Sequence, residues 1–410
     1  MVVCDAVGMG QTVKTDADRW LQRYCQKDTA NVICGSKEVF KATFAAHSDP
    51  QMWYNARMMI RKEIEKMELR DKILDYLHYH PASKRADIDA FVEEQASSAT
   101  VKRMLSASID AGLVVSSGNN RATTYSITPK AHLLRTVDLD SYYAVDPDRR
   151  TVQKGYNFAL IRDELPKIDI FTDEEKAQLV SAQELFAQHM KEITPGIYNR
   201  ELERLGIDLS WKSAQIEGNT YTLLETETLW KELKEANGRK HEEAQMLLNH
   251  KSALKAIVER PSYFEHLSLA RLEDIHGVLV EGMEVSPTLR HRRIRITGTA
   301  YQPLDVESQI REAVEDACNL INAKANPYEK ALLALLLVAY IQPFEDGNKR
   351  TSRLTANALL LAHKCCPLTF RSVEANDYRA ALLLFYEQNN LSAFKRIFLD
   401  QVAFAAEEYF

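Results

Sequence analysis

Hydrophobic positions from residue 69 onward recur with the three- and four-residue spacing of amphipathic helices. They predict three helices before Gly112, the second capped by Ser83 and the third by Ser97 or Ser98. Two β-rich runs follow, at 113–117 and 121–128, joined by a Gly-Asn-Asn connection that is typical of a hairpin. The positions predicted to face inward are Ile73, Leu74, Leu77, Ile88, Phe91, Val92, Val101, Leu105, Ser108 and Ile109.

Three helices followed by a two-stranded wing resemble a winged helix-turn-helix, in which the third helix enters the major groove of DNA. The segment 97–130 contains four basic residues and one acidic residue, so its local net charge is +3. Winged helices also dock on proteins, so DNA and protein both stay open as ligands. The candidate DNA contacts are Thr100, Lys102, Arg103 and, on the wing, Arg121.

The rest of the chain predicts a larger helical unit. A segment rich in Asp, Tyr and Pro covers 138–151, and helical periodicity then continues almost to the C-terminus, interrupted by an alternating stretch at 292–303 that predicts a small β-hairpin. The apolar run at 331–341 predicts a helix buried on all sides and is far shorter than the ~20 residues of a membrane span. We therefore expect a mainly α-helical protein with an extension of unknown role at 1–66, a winged helix-turn-helix at 67–136, a linker at 137–156 and a helical domain at 157–410.

Composition narrows this picture. Glycine and proline make up about 6% of the 410 residues, against a usual ~12%, which favours helices. The net charge of −6 excludes a globally basic nucleic-acid binder, and the six cysteines lack the C-x-x-C spacing of a zinc site. The N-terminus has no signal-peptide pattern, so we expect a cytoplasmic protein without a membrane partner. A secreted effector that lacks a cleavable signal would have the same features.

The segment with the most chemistry is 341–353, which reads IQPFEDGNKRTSR. Gly347 permits a tight turn, after which the backbone N–H groups of Gly347, Asn348 and Lys349 open a helix. Such a turn binds anions, and the helix dipole reinforces it. Arg350 and Arg353 lie three residues apart on one helical face, where they could clamp phosphate oxygens.

Asp346 precedes this turn and is placed to bind a Mg²⁺ ion that bridges two phosphates. The ordered set Phe344-x-Asp346-Gly347-Asn348-x-Arg350-x-x-Arg353 resembles the core motif of Fic-domain proteins, H-x-F-x-D/E-G-N-G-R-x-x-R. The resemblance covers about 157–410. It implies a helical fold with ATP as substrate, and transfer of AMP to a Ser, Thr or Tyr hydroxyl of a target protein.

A second signature supports this resemblance. The sequence SAQIEGN at 213–219 resembles the inhibitory helix of one Fic class, S/T-x-x-x-E-G/N, and places such a helix around 210–219. The resemblance implies a salt bridge from Glu217 to Arg353 that blocks seating of the γ-phosphate. It also implies that 294–301 is the flap that aligns a target segment by strand pairing, and that the protein is a candidate homodimer. Tyr378 and Asn389 lie where the family contacts adenine and ribose.

Gln342 departs from the motif because it stands where the family has its catalytic histidine. A neutral imidazole accepts a proton near pH 7, whereas a carboxamide does not. Loss of a general base typically lowers the rate on the order of 10²–10⁴-fold, while nucleotide binding should survive. A natural loss of the base and a deliberate substitution both stay open.

Lys349 is the second departure, since the family usually has glycine there. In the related Doc toxins, a lysine at this position accompanies inverted nucleotide binding and transfer of phosphate. Those proteins are short and have alanine where this chain has Gly347. The long core and the inhibitory helix therefore favour AMP chemistry, with phosphate transfer kept as an alternative.

Glu217 implies a further reaction, because in some family members this carboxylate orients a water that removes AMP from a modified target. Gln342 cannot give the leaving oxygen its proton, so removal should also be slow. The leading hypothesis is an autoinhibited adenylyltransferase that can also remove AMP. The alternative from another class is a non-catalytic DNA-binding regulator that senses adenine nucleotides through a degenerate core.

Overall fold

The computed structural model describes residues 69–410, so the predicted extension at 1–66 lies outside the described residues. Within this range the protein is mainly α-helical, which confirms the predicted fold class. The helices are α1 (69–79), α2 (Arg85–Phe91), α3 (Ser98–Asp110), α4 (Pro129–Leu134), α5 (Leu139–Tyr143), α6 (Asp173–Glu192), α7 (Pro195–Ile216), α8 (Leu223–Glu232), α9 (His241–Glu259), α10 (Leu269–Leu279), α11 (Glu307–Ala323), α12 (Pro327–Ile341), α13 (Asn348–Ala362), α14 (Ala375–Gln388) and α15 (Ser392–Glu408). The strands are β1 (Ser83–Lys84), β2 (Val114–Ser117) and β3 (Thr124–Ile127).

Helices α1 to α3 pack with the three strands around a small core of their own. The sheet is antiparallel with the order β1-β3-β2, and Val114 lies opposite Ile127. The predicted hairpin is therefore present, and β1 adds a short strand that the pattern did not indicate. The core residues are Leu69, Ile73, Leu74, Leu77, Ile88, Val92, Val101, Leu105, Val114 and Ala131.

Three details of the predicted pattern are wrong here. Phe91 is 49% exposed because it ends α2 at the surface, where its ring stacks on Tyr76 at 4.5 Å. Ile109 is 37% exposed in the last turn of α3. Ser83 does not cap α2, because it pairs with Tyr125 in the sheet.

The buried helix of the larger core is α12. Asn326 caps it, Pro327 occupies its first turn, and every residue from Tyr328 to Ile341 is buried, as the apolar run predicts. It packs against α11, α13 and α14, while α13 also contacts α7, α9 and α10. This arrangement holds the turn between α12 and α13 inside the helical assembly. Among the described residues no helix is both long enough and apolar enough to cross a membrane.

The alternating stretch 292–303, which contains the predicted flap at 294–301, is extended and turns at Thr297–Gly298. The whole stretch is called the flap below. Its two arms do not pair with each other, so the predicted β-hairpin is absent as a ladder. Instead Gln302 forms an isolated parallel bridge with Gly155, in the segment predicted as a linker. The alternation therefore indicates extended backbone correctly, but the pairing partner comes from a distant part of the chain.

Candidate nucleotide site

The turn from α12 to α13 is closed by its own side chains. Gln342 ends α12 in the left-handed conformation with φ 53°, and Gly347, with φ 76°, precedes the first residue of α13. The side chain of Asn348 accepts a hydrogen bond from Phe344 N at 2.8 Å and donates to Phe344 O at 2.8 Å. Because Asn348 and Lys349 begin α13, their N–H groups lack acceptors within the helix and face the predicted anion position.

The two motif arginines are both buried on α13. Arg350 donates to Asp346 Oδ2 at 2.8 Å, and Arg353 donates to Ser213 Oγ at 2.8 Å and to Ser213 O at 2.9 Å. The Nη1 atom of each arginine has no hydrogen-bond partner among the described residues. Two buried guanidinium groups with free donors at a helix N-terminus are suited to bind an anion with several oxygens.

Glu217 lies at the end of α7 and reaches this cationic site. Its Oε1 atom is 3.0 Å from Arg353 Nη2, and its Oε2 atom is 2.8 Å from Lys349 Nζ. Burial alone would raise the pKa of Glu217, but the charges of Arg353 and Lys349 outweigh burial and hold the pKa below its ordinary value. The carboxylate is therefore charged at neutral pH and occupies donors that a phosphate would use.

Gln342 is held in place rather than free to react. Its Nε2 atom donates to Ala339 O at 2.6 Å, and its Oε1 atom accepts from Asn348 Nδ2 at 3.1 Å. Its backbone carbonyl accepts from the buried Arg290 at 2.7 Å. The side chain thus stabilises the turn, and the carboxamide cannot take a proton from an attacking hydroxyl.

Two histidines that the motif does not contain border the site. His276 stacks on Phe344 with centroids 3.8 Å apart, and its nitrogens lie 3.2 Å from Thr351 Oγ1 and from Ser286 O. Burial lowers the pKa of His276 to about 4. His250 lies 3.1 Å from Ser213 Oγ, and burial lowers its pKa as well. Both are neutral supports of the site, and no spacing in the sequence links them to it.

Of the predicted nucleotide contacts on α14, Tyr378 lies at the site. The guanidinium carbon of Arg353 is 5.4 Å from the centre of its ring. The hydroxyls of Tyr378 and of Tyr386, which the sequence did not single out, are buried without a hydrogen-bond partner among the described residues, and burial raises the pKa of both. Asn389 instead caps α14 and bonds Asn157 at 3.1 Å, so its contact with a nucleotide stays a prediction.

Asp346 is the candidate metal ligand. Its side chain is 63% exposed, and within residues 69–410 its one ion-pair partner is Arg350. Within residues 69–410 no group of three or more His, Cys, Asp or Glu residues could hold a metal ion. A Mg²⁺ ion often takes one protein carboxylate and obtains its remaining ligands from phosphates and water. The residues present therefore fit a Mg²⁺ that arrives with a nucleotide.

The predicted DNA contacts lie on α3 and on the wing, in the N-terminal part of the described chain. Lys102 and Arg103 are exposed, whereas the Thr100 hydroxyl lies 3.0 Å from that of Ser97, whose side chain caps α3. Arg121 belongs to the turn Asn120–Ala122, and its side chain lies outside the described residues.

The region that contains this turn is similar in sequence to known proteins. Residues 266–360 match the model of the Fic/DOC family. A relative from Nematostella vectensis, named protein adenylyltransferase Fic, is 26% identical over 175 residues, which cover 41% of this chain and 40% of the relative. Its namesake from Drosophila willistoni is 25% identical over 197 residues, which cover 46% of this chain and 39% of the relative.

A solved structure supports the same fold. The fragment of residues 134–508 of Fic-1 from C. elegans superposes with a TM-score of 0.51 at 18% identity, over 57% of this chain and 71% of that chain. This chain spans about two-fifths of the length of the relatives named above. The matched region, 266–360, includes the turn between α12 and α13, so this turn lies in the part of the chain that is similar to the Fic/DOC family.

Proposed function

We propose that the Fic domain of this chain makes it a protein adenylyltransferase, which transfers AMP from ATP to a Ser, Thr or Tyr hydroxyl of a target protein. The observation that carries the proposal is the pair of buried arginines, Arg350 and Arg353, with unpartnered Nη1 donors at the start of α13. The names of the relatives point to the same reaction.

The charge of the site fits a polyphosphate. Lys349, Arg350 and Arg353 supply three cations, and in the described part of the chain Glu217 and Asp346 are the only acids that pair with them. When Glu217 moves away, two of these cations lose their anionic partner, which favours a ligand with several negative oxygens. Asp346 would hold Mg²⁺ with the phosphates, and the metal would neutralise charge that develops on them.

Glu217 would act as an inhibitor of this reaction. Its carboxylate binds Arg353 and Lys349 with separate oxygens, so a phosphate reaches those donors only after both contacts break. We propose that the protein rests in this closed state and binds ATP productively when Glu217 is displaced. The same carboxylate could orient water for removal of AMP from a modified target.

Gln342 should attenuate both reactions. AMP transfer needs a base for the attacking hydroxyl, and AMP removal needs an acid for the leaving oxygen, but the carboxamide supplies neither. Its bonds to Ala339 O and Asn348 hold the turn in shape, so we expect binding to persist.

The deciding experiment is the double variant Gln342→His with Glu217→Gly. Labelled ATP and a cell extract should then give AMP attached to protein, and titration calorimetry should show ATP binding that Mg²⁺ strengthens. A variant that binds no ATP would exclude the proposal. Mass spectrometry of the modified protein distinguishes added AMP from added phosphate, which is the product that the Lys349 alternative expects.

We also propose a role for the N-terminal part of the chain. The order of α1 to α3 and the strands β2 and β3 supports a winged helix-turn-helix at 67–136, joined by 137–156 to the domain at 157–410. Exposed Lys102 and Arg103 on α3 favour duplex DNA as its ligand. In this proposal the N-terminal part brings the enzyme to its target. The protein itself would be cytoplasmic and would form a homodimer. A duplex-binding assay with Lys102→Gln and Arg103→Gln at rising salt tests it.

A further inference from the structure

The N-terminal arm of the flap carries an exposed row of cations. Arg292 and Arg293 keep 86% and 74% of their side-chain surface exposed, and Arg295 is exposed as well. Ile294, which precedes Arg295, and Ile296, which follows it, are half-buried. Exposed and half-buried side chains therefore alternate from Arg293 to Ile296, as in an extended strand. Arg293 and Arg295 therefore share one face of the arm, whereas Arg292 belongs to the other face and is exposed there.

Nearby acids compensate this charge only in part. Asp305 lies 2.7 Å from Arg293, whereas Glu345 is 4.0 Å from Arg292. Among residues 69–410, Arg295 has no ion-pair partner at all. The arm thus presents positive charge that the described residues neutralise only in part.

The backbone of this arm is open. In the described part of the chain, the N–H and C=O groups of residues 293–297 form no backbone hydrogen bond. The other arm is partly occupied, because Gln302 N donates to Lys154 O at 2.8 Å. A second strand can therefore pair with the flap along the arm that carries the arginines.

A segment of the same chain holds the flap in this position. Arg150 donates from Nη2 to Gly298 O at 2.8 Å and to Glu387 Oε1 at 3.1 Å. The side chains of Arg150 and Glu387 are almost fully buried. The hydroxyl of Tyr142 donates to the second carboxylate oxygen of Glu387 at 2.7 Å. The turn of the flap is thus anchored from behind, which leaves the cationic arm facing outward.

We propose that this cationic arm binds an extended, acidic segment of a partner protein, with Arg292 and Arg295 as the main charged contacts. The inference rests on the proposed function, in which a target protein receives AMP, and it names the class of target segment that the flap would bind. A peptide strand bonds the free N–H and C=O groups, and its Glu and Asp side chains pair with the arginines. A nucleic acid could use the charges but not the open strand edge, so the peptide is the better fit.

The test uses the full chain and a labelled peptide of about twelve residues that can bind in an extended conformation. The peptide contains one threonine surrounded by Glu and Asp. Fluorescence anisotropy should show binding that weakens as salt rises. The double variant Arg292→Gln with Arg295→Gln should lower the affinity about fivefold to tenfold, the sum of two exposed charge contacts. The matched control, Lys167→Gln with Lys191→Gln, removes the same charge from exposed sites away from the flap and should bind as the parent does.

Three results would overturn the inference: equal binding of the flap variant and its control, equal binding of a peptide with Gln and Asn in place of the acids, or binding of a single-stranded oligonucleotide in preference to the peptide. Titration of ATP into the same proteins separates the two proposals. Peptide binding without ATP binding would refute the proposed enzyme and leave the peptide surface standing. ATP binding without peptide binding would refute only the surface.

Discussion

Lys349 Nζ lies 2.8 Å from Glu217 Oε2, so a residue at the start of α13 holds the carboxylate that follows α7. The other oxygen of Glu217 is 3.0 Å from the buried Arg353. One carboxylate therefore joins two cations of α13, the helix that begins at the proposed anion-binding turn. The Fic core motif that 342–353 resembles has glycine at the position of Lys349, so the motif does not predict this second contact. In the proposed function the contact adds to the resistance that a nucleotide must overcome.

Glu217→Gln should raise the affinity for ATP about tenfold or more, a typical size for a coupling between competing groups. The amide keeps the shape of the side chain but no longer competes as an anion for Arg353. Titration calorimetry measures the effect. Glu227→Gln serves as the control, because Glu227 forms an exposed pair with Lys231. Equal ATP affinity of Glu217→Gln and the parent protein would show that the carboxylate does not compete.

Lys349→Met should weaken the hold on Glu217 without abolishing it. The Lys349 side chain is 29% exposed, so we expect a coupling energy of no more than about 1 kcal/mol between positions 349 and 217. A double-mutant cycle of Lys349→Met and Glu217→Gln, followed by urea unfolding, measures it. A coupling near zero would mean that Arg353 alone retains the carboxylate.

The sequence predicts the residues of the turn better than it predicts the residues that pack around the turn. Gly347, Arg350 and Arg353 are found from their spacing, because the turn and the first helical turn are local in the chain. His250 contacts Ser213, which is 37 residues away, and His276 contacts Thr351, which is 75 residues away, and no local pattern indicates either contact. The helical core and the hairpin of β2 and β3 follow from periodicity.

The contacts of the segment predicted as a linker do not follow from its sequence. Its Asp and Pro content indicates a loop, and in the structure Tyr142 is buried and donates to Glu387, which is itself fully buried on α14. The flap is predicted in part, since its extended pattern is correct while its pairing partner, Gly155, is distant. Pairing between remote segments depends on tertiary packing, which the alternation of residues does not encode.

Arg150→Met should release the flap while leaving the helical core intact. Arg150 is the side chain that joins Gly298 O to Glu387, so its loss removes the anchor of the turn. Hydrogen exchange in residues 296–303 should accelerate about tenfold, as for a local opening that loses one buried contact. Peptides from α12 should exchange as before.

The control for this variant is Arg149→Met, because Arg149 is the exposed neighbour of Arg150 and carries the same charge. It should leave exchange in the flap unchanged. Arg150→Lys should restore much of the protection, since an ammonium can still contact Glu387. Unchanged flap exchange in Arg150→Met, or equal acceleration throughout the domain, would contradict the anchoring role.

Buried neutral histidine predicts a loss of stability in mild acid. The pKa of His276 is about 4 in the folded protein because the ring is buried, whereas an unfolded chain protonates it near 6.5. As the pH falls from 6.5 towards 4, the unfolded state takes up the proton first, so the free energy of unfolding decreases. For this one residue the decrease amounts to about 3 kcal/mol.

His276→Gln should therefore flatten the pH dependence of unfolding in this window, even if it lowers stability at pH 7 by loosening the contact with Phe344. Urea unfolding at a series of pH values gives the slope, and His266→Gln, at an exposed position, should keep the slope of the parent. Glu217 loses its own contribution only below its ordinary pKa of 4.5, because its folded pKa is lowered. Part of the slope should remain, because burial also lowers the pKa values of His250 and of the histidines of α1 and α4. A slope between pH 6.5 and 5 that is unchanged in His276→Gln would contradict the role of His276.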